Sequence, residues 1–161
     1  ISHVINGAEI ARKEGIPDSI IDFIRSHHGK STMAFFYHQA LEEADSSGNS
    51  INVKKSDFQY PGPKPQTKEV AVVMLADAIE ATSRSIQEPT IDKLEGLIRK
   101  IIYNKLNEGE LDESDLSMSD LNIIQKSFLK ILSGIFHTRI EYPDKEELES
   151  LENKLKKYDK H

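Results

Sequence analysis

The stretch Ser26-His27-His28-Gly29-Lys30 places two adjacent histidines at the end of a predicted helix. On a helix, Ile20, Ile24, His27 and His28 share one face, so we expect the imidazoles to point inward with the isoleucines. Two buried imidazoles need hydrogen-bond partners, and a divalent metal would satisfy both because neutral imidazole is a common metal ligand. The alternative is that one histidine belongs to the core and the other caps the helix C-terminus.

The residues before this stretch predict a helical hairpin that brings a third histidine to the pair. A first helix ends at Gly15, and after a tight turn a second, antiparallel helix runs from Pro17 to His28. His3 lies 12 residues before Gly15, while His27 and His28 lie 10 and 11 residues after Pro17. Both arms therefore return to the same level at about 1.5 Å per residue. We predict that the three histidines converge.

Further along, the sequence predicts a central apolar helix that carries one carboxylate. Thr67 is the expected N-cap, and residues 70–76 are apolar on nearly every side. Asp77 shares a stripe with Val70 and Met74. Because a buried unpaired carboxylate costs roughly several kcal/mol, it needs a cation or hydrogen-bond donors. We predict that Asp77 is buried and faces the histidines; the alternative is a hydrogen bond to a Ser, Thr or backbone group.

The rest of the chain also has helical periodicity, and no run has the alternation of a strand. Further helices are predicted at about residues 32–45, at residues 90–107, after the capping-box pattern Ser117-x-x-Asp120, and, marginally, at residues 144–161. The composition of residues 46–57 is flexible, and we predict poor order there. The expected fold class is an all-α helical bundle.

Composition excludes several classes of function. Lys and Arg number 21 against 27 Asp and Glu, which gives a net charge of −6 and argues against a DNA or RNA polymer as partner. The chain contains no cysteine, so thiolate chemistry is absent. No apolar run is long enough to span a bilayer.

Several phrases of the sequence resemble the later part of an HD-domain phosphohydrolase. The resemblance is greatest to the cyclic di-AMP phosphodiesterases whose HD domain follows a seven-helix membrane region. The phrases are Ile24-x-x-His27-His28-Gly29, Tyr60-Pro61-Gly62-Pro63-Lys64-Pro65, Leu75-Ala76-Asp77-Ala78-Ile79-Glu80-Ala81, Ser83-Arg84 and residues 134–143. This resemblance implies an HD-domain-like bundle over residues 1–143, truncated at its N-terminal side, followed by a charged helical tail at residues 144–161.

The resemblance also implies a site and a substrate. His3, His27 and His28 would ligate one divalent metal ion and Asp77 a second, with manganese or iron as the ions. The substrate would be a cyclic dinucleotide, cyclic di-AMP above all. Candidate phosphate contacts are Lys64 and Arg84, which could equally be a solvated loop lysine and a helix-end arginine. The parent protein would be anchored in the bacterial cell membrane through an upstream region, with this domain on the cytoplasmic side.

One departure from the family pattern is the absence of the signature His-Asp dipeptide, and of the histidine that precedes it, from residues 1–161. In the family the aspartate of that dipeptide bridges two metals. We therefore expect the chain alone to bind metal weakly and to have little or no hydrolase activity. Apolar surface left uncovered would favour self-association.

Two other functions stay open at this point. One is an HD hydrolase that acts on another nucleotide, such as cyclic di-GMP or a guanosine polyphosphate. The other is a non-catalytic helical domain that binds a nucleotide or has a regulatory role. A purely structural bundle would leave Asp77 and the converging histidines unexplained.

Overall fold

The computed structural model describes residues 2–46 and 53–137, and these residues form a bundle of six α-helices. The helices are α1 (Ser2–Lys13), α2 (Asp18–Ser26), α3 (Ala34–Ser46), α4 (Lys68–Ser83), α5 (Ile91–Asn107) and α6 (Met118–His137). Within the described ranges the only strand-like pairing is an isolated bridge between Thr32 and Gln59. The predicted all-α fold class is confirmed.

The helix starts follow the capping residues of the sequence. The Thr67 hydroxyl accepts a hydrogen bond from the backbone N–H of Val70 at 3.3 Å, and Thr90 caps α5 in the same way. At the start of α6, Ser117 and Asp120 form the reciprocal pair of a capping box. The Asp120 N–H donates to Ser117 Oγ at 3.1 Å, and the Ser117 N–H donates to Asp120 Oδ2 at 3.0 Å. These three helix starts lie where the sequence predicts them.

The core is built around α4, which packs against α2 and α5, while α5 also packs against α6. Its buried apolar members are Ala71, Met74, Leu75, Ile79, Leu94, Ile98, Ile101, Ile102, Leu111, Leu121 and Leu132. The central position predicted for α4 is confirmed, although one side of the helix reaches the surface at Val73.

The α1–α2 hairpin has its own small core of Ala8, Ala11 and Ile21. Gly15 takes the left-handed conformation, φ +71°, that lets the chain reverse there. The burial of α2 differs from the prediction, since Ile20 is exposed and Ile21 is buried. Ile24 packs with Ile21 against the alanines of α1, so the inward face of α2 is the one that carries Ile21 and Ile24.

Two predictions fall wholly or partly outside the described residues. The tail at residues 144–161 lies outside them, as do residues 47–52 of the segment predicted to be poorly ordered. The part of that segment that is described differs from the prediction, because Lys55–Phe58 forms a 3-10 helix. This helix has tertiary partners: the Met33 N–H donates to the Phe58 carbonyl at 2.8 Å, and the Phe58 ring lies 5.6 Å from the ring of Tyr37.

Candidate metal centre

Three histidines meet at the open end of the α1–α2 hairpin. His3 lies in the first turn of α1, and His27 and His28 follow the last turn of α2. The Nε2 atoms of His3 and His28 are 3.0 Å apart, and one ring nitrogen from each histidine lies within 4.8 Å of the other two. Two nitrogens bound at right angles to one ion, each at about 2.1 Å, would lie about 3.0 Å apart. The predicted convergence is confirmed, and the donor set fits a single ion.

The backbone sets the tautomer of His27. Its Nδ1 lies 2.9 Å from the carbonyl oxygen of Ile24 and 3.1 Å from that of Phe23. Because a carbonyl oxygen only accepts, Nδ1 carries the proton, and the lone pair of Nε2 is left for another partner. A metal-ligating histidine is commonly oriented by such a contact through its second ring nitrogen.

His28 is electrostatically suited to remain neutral. Its pKa is lowered from 6.5 to about 4, chiefly by burial and next by the neighbouring His27, while the carboxylate of Asp77 acts in the opposite direction. Its Nδ1 lies 3.5 Å from Oδ2 of Asp77. At neutral pH the ring is therefore uncharged, which is the form that can bind a metal ion.

The low pKa of His28 predicts a loss of stability in mild acid. The unfolded chain protonates this residue near pH 6.5 and the folded chain only near pH 4. The unfolded state thus binds more protons in that window, and the free energy of unfolding falls as the pH falls through it. At about 1.4 kcal/mol per pKa unit, the loss is up to about 3 kcal/mol between pH 6.5 and pH 4.

Urea unfolding of the metal-free chain at pH 7 and pH 4.5 measures this effect. We expect the His28→Gln variant to show a weaker pH dependence than the wild type, and the His38→Gln variant, changed at an exposed histidine of α3, to match the wild type. Equal pH dependence in the wild type and the His28→Gln variant would show that the burial of His28 does not oppose its protonation.

Asp77 differs from its prediction in burial. Its side chain is 46% exposed, whereas we expected a buried carboxylate. The inward-packing residues Ala71, Leu75 and Ile79 lie about 120° to 160° around the helix from it, and the buried arc extends toward it only as far as Val70 and Met74. Position 77 is therefore at the edge of the buried face. The second half of the prediction is confirmed, because the carboxylate faces the histidines through its contact with His28.

An aromatic side chain that the sequence reasoning gave no role covers one side of the histidines. The ring of Tyr60 stacks on His28 with centroids 4.2 Å apart, and lies edge-on to His3 at 6.0 Å. Burial raises the pKa of the Tyr60 hydroxyl. The Tyr60 N–H donates to the Ser31 carbonyl at 3.1 Å, so the loop that carries this ring is tied to the turn after the histidine pair. In the sequence, the feature that could have indicated a role for Tyr60 is its position directly before Pro61-Gly62-Pro63-Lys64-Pro65.

The turn after the histidine pair, residues 29–31, is hydrogen-bonded to the C-terminal end of α5 and the residues that follow it. The Lys30 N–H donates to Oε2 of Glu110 at 2.9 Å, and Lys105 Nζ donates to Ser31 Oγ at 2.6 Å. Glu110 is 2% exposed, and its burial raises the pKa of its carboxyl group. Gly29 has φ +56°, and a Cβ there would overlap the Glu110 carboxylate, so no other residue fits this position.

In the part of the chain that the structure describes, neither of the two predicted phosphate contacts forms a hydrogen bond or an ion pair with the three histidines. Lys64 Nζ lies beside the loop after α5, 3.5 Å from where a Cβ of Gly109 would be. Arg84 is exposed and pairs with Glu80 at 2.5 Å. It is seven residues beyond Asp77 on the same side of α4, about 10 Å along the helix. The structure brings together His3, His27, His28 and Asp77, while Lys64 and Arg84 have their neighbours elsewhere, beside Gly109 and at Glu80 respectively.

Comparison with known proteins gives a consistent family. A family model described as HD domain matches residues 1–82. The chain is 42% identical over 144 residues to the cyclic-di-AMP phosphodiesterase PgpH of Bacillus subtilis (strain 168), and 38% identical over 144 residues to the protein of the same name from Listeria monocytogenes serotype 1/2a. These alignments cover 89% of this chain and 19% of each relative, so the chain spans about a fifth of the length of the curated relatives it matches.

Solved structures support the same grouping. The crystal structure of the L. monocytogenes phosphodiesterase PgpH HD domain in complex with cyclic-di-AMP matches with a TM-score of 0.77 at 37% identity. That match covers 83% of this chain and 60% of the other. A second crystal structure of the L. monocytogenes phosphodiesterase PgpH HD domain matches with a TM-score of 0.76 at 38% identity, covering 84% of this chain and 61% of the other. The chain therefore belongs to the HD domain family.

Proposed function

We propose that this chain is the metal-bearing part of an HD-type phosphodiesterase that hydrolyses cyclic di-AMP in its intact protein. The observation that carries the proposal is the three-histidine cluster, whose ring nitrogens fit one metal ion in a chain of the HD domain family. The substrate is suggested by the relatives named cyclic-di-AMP phosphodiesterase and by the HD domain solved in complex with that nucleotide.

HD-domain phosphohydrolases are metal-dependent, and the residues of this chain suit that dependence. His3, His27 and His28 would hold one divalent ion, and Asp77 would contribute to a second, with manganese or iron as the ions. When bound, such ions polarise a phosphoryl oxygen and lower the pKa of water. The role of Asp77 as a ligand is supported by its place in the family motif, because, among the described residues, the group of side chains close enough to share one ion contains only the three histidines.

The side chains around the cluster have supporting tasks in this proposal. The backbone carbonyl of Ile24 keeps Nε2 of His27 unprotonated, and burial keeps His28 neutral. Tyr60 shields one side of His28 from water through its stacked ring. Lys64 and Arg84 remain proposed phosphate contacts.

Three further proposals concern the protein as a whole. The parent protein is anchored in the bacterial cell membrane, with this domain on the cytoplasmic side; among the described residues, no helix has the length and apolar character needed to cross a bilayer. Residues 1–143 form the HD part, and residues 144–161 form a separate charged tail. Self-association is supported by exposed apolar side chains on α1, such as Ile5 and Ile10.

The function is tested by assaying the intact protein that carries this chain, and the chain alone, with Mn²⁺ present. We expect the intact protein to hydrolyse cyclic di-AMP with a higher kcat/KM than cyclic di-GMP or a guanosine polyphosphate. We expect the chain alone to be at least about 100-fold slower, because two-metal chemistry needs both ions held close together. A preference for a guanine nucleotide would transfer the proposal to that substrate, and nucleotide binding without hydrolysis would favour the non-catalytic alternative.

A further inference from the structure

The turn that follows the histidine pair is clamped between two helices that are distant in sequence. On one side lies Met74 of α4, whose Cε would be 2.7 Å from a Cβ at Gly29. On the other side the buried carboxylate of Glu110 accepts the Lys30 N–H at 2.9 Å. Lys30 is two residues from His28, so the position of this amide determines how the chain leaves the histidine pair.

The backbone at Glu110 is fixed by the hydrogen bonds that end α5. At the end of α5 the Glu110 N–H donates to the Lys105 carbonyl at 3.0 Å, and the Gly109 N–H donates to the Leu106 carbonyl at 2.9 Å. With Gly109 at φ +68°, these bonds form a Schellman motif, which closes the helix and fixes the direction of the residue that follows it. Leu111 then anchors the chain in the core.

Lys105 holds the same turn at its next residue. Its ammonium group donates to Ser31 Oγ at 2.6 Å. Ser31 also accepts, through its carbonyl, the N–H of Tyr60, whose ring stacks on His28. The end of α5 therefore braces both the histidine pair and the aromatic ring that covers it.

We propose that Glu110 is a positioning residue for the histidine cluster, fixing the His27-His28 turn through the Lys30 amide, with Lys105 supporting the same turn through Ser31. This inference rests on the proposed metal function of the cluster. A buried acceptor has this effect because its loss would leave the Lys30 N–H without its partner, and the turn would open toward water. Contacts made directly to metal-ligating side chains commonly change metal affinity by about 10- to 100-fold. Because Glu110 acts through a backbone amide two residues from His28, we expect an effect at the lower end of that range.

The test compares substitutions of equal size at Glu110. Co²⁺, which reports its binding to imidazole by visible absorption, is titrated into the chain. We expect Glu110→Leu to weaken Co²⁺ binding by about 10-fold or more, as is typical of outer-shell changes. Glu110→Gln keeps an acceptor oxygen and should stay within about threefold of the wild type. The matched control is Glu113→Leu, the same change at an exposed position of the same loop, and it should have no effect.

A second readout does not depend on metal. Amide hydrogen exchange of the metal-free chain should accelerate at His28, Gly29 and Lys30 in Glu110→Leu and remain slow in Glu113→Leu. Equal Co²⁺ affinity and equal exchange in these two variants would overturn the proposal. If the wild-type chain bound no Co²⁺, the three histidines would not hold an ion by themselves, whereas the exchange data would still decide whether Glu110 holds the turn.

Lys105→Met covers the case in which Glu110→Leu does not fold. This variant keeps the apolar stem of Lys105 and removes its ammonium group, which donates to Ser31, pairs with Glu108 at 3.8 Å and attracts the Glu110 carboxylate. We expect a roughly threefold to tenfold loss of Co²⁺ affinity, at the lower end of outer-shell effects. If Glu110→Leu does not fold and Lys105→Met binds Co²⁺ as tightly as the wild type does, the inference is overturned.

Discussion

The His28→Ala variant of this chain is expected to lose nearly all specific Co²⁺ binding. His28 supplies the nitrogen that lies 3.0 Å from Nε2 of His3, and without it the remaining pair cannot enclose an ion on three sides. The loss should exceed the about 10- to 100-fold range that is typical of outer-shell substitutions. Titration followed by visible absorption measures it.

The control for this experiment is His38→Ala on α3. His38 is exposed, and its ring lies 6.1 Å from that of Tyr37. The His38→Ala variant should bind Co²⁺ as the wild type does. Equal loss in both variants would mean that Co²⁺ binds to dispersed surface histidines, and unchanged binding in His28→Ala would remove this residue from the metal site.

The second large effect is expected for Asp77→Ala in the intact protein. If Asp77 ligates a metal ion as proposed, its removal should reduce hydrolysis of cyclic di-AMP by at least about 100-fold, because two-metal chemistry needs both ions in place. Because the side chain is 46% exposed, the free energy of unfolding should change by only about 0.5 kcal/mol. Activity and urea unfolding are measured on the same preparation.

Glu69→Ala serves as the matched control, because Glu69 is an exposed carboxylate in the first turn of the same helix. It should retain wild-type turnover. If Asp77→Ala retained near wild-type turnover as well, the contact of Asp77 with His28 would be its whole role, and that role would be structural.

The convergence of the histidines was predictable because it follows from local rules. Gly15 supplies the left-handed residue, Pro17 restarts the helix, and the constant helical rise carries His3 to the level of the pair. No long-range contact is needed to place these side chains. The helix starts of α4, α5 and α6 were predictable for the same reason.

The degree of burial of Asp77 was not predictable from its position on the same side of α4 as Val70 and Met74. A helix that is apolar nearly all round, as α4 is over residues 70–76, has no well-defined inward direction in its sequence. The neighbouring helices decide which side is buried, and here they leave Asp77 at the edge. A helix with a clear polar side, such as α5, does not have this ambiguity.

The role of Glu110 was hidden for a different reason. It lies in an acidic loop, where a carboxylate is normally expected to face water, and its partner Lys30 is 80 residues away in sequence. Only the packing of the end of α5 against the turn after the histidines shows that this carboxylate is buried. The only indication in the sequence was Gly29, because a glycine allows another group, here the Glu110 carboxylate, to approach the backbone closely.

The contact between His3 and His28 joins two residues that are 25 positions apart. An ion held by both would act as a reversible crosslink around the α1–α2 hairpin. An ion that binds only the folded chain stabilises it by RT ln(1 + c/Kd), where c is the free ion concentration; this is about 2.7 kcal/mol when the free ion is at 100 times Kd, and less if the unfolded chain also binds the ion. Metal affinity and the stability of the hairpin are then linked quantities: a substitution that loosens the hairpin anywhere along α1 weakens metal binding, even when every ligand is intact.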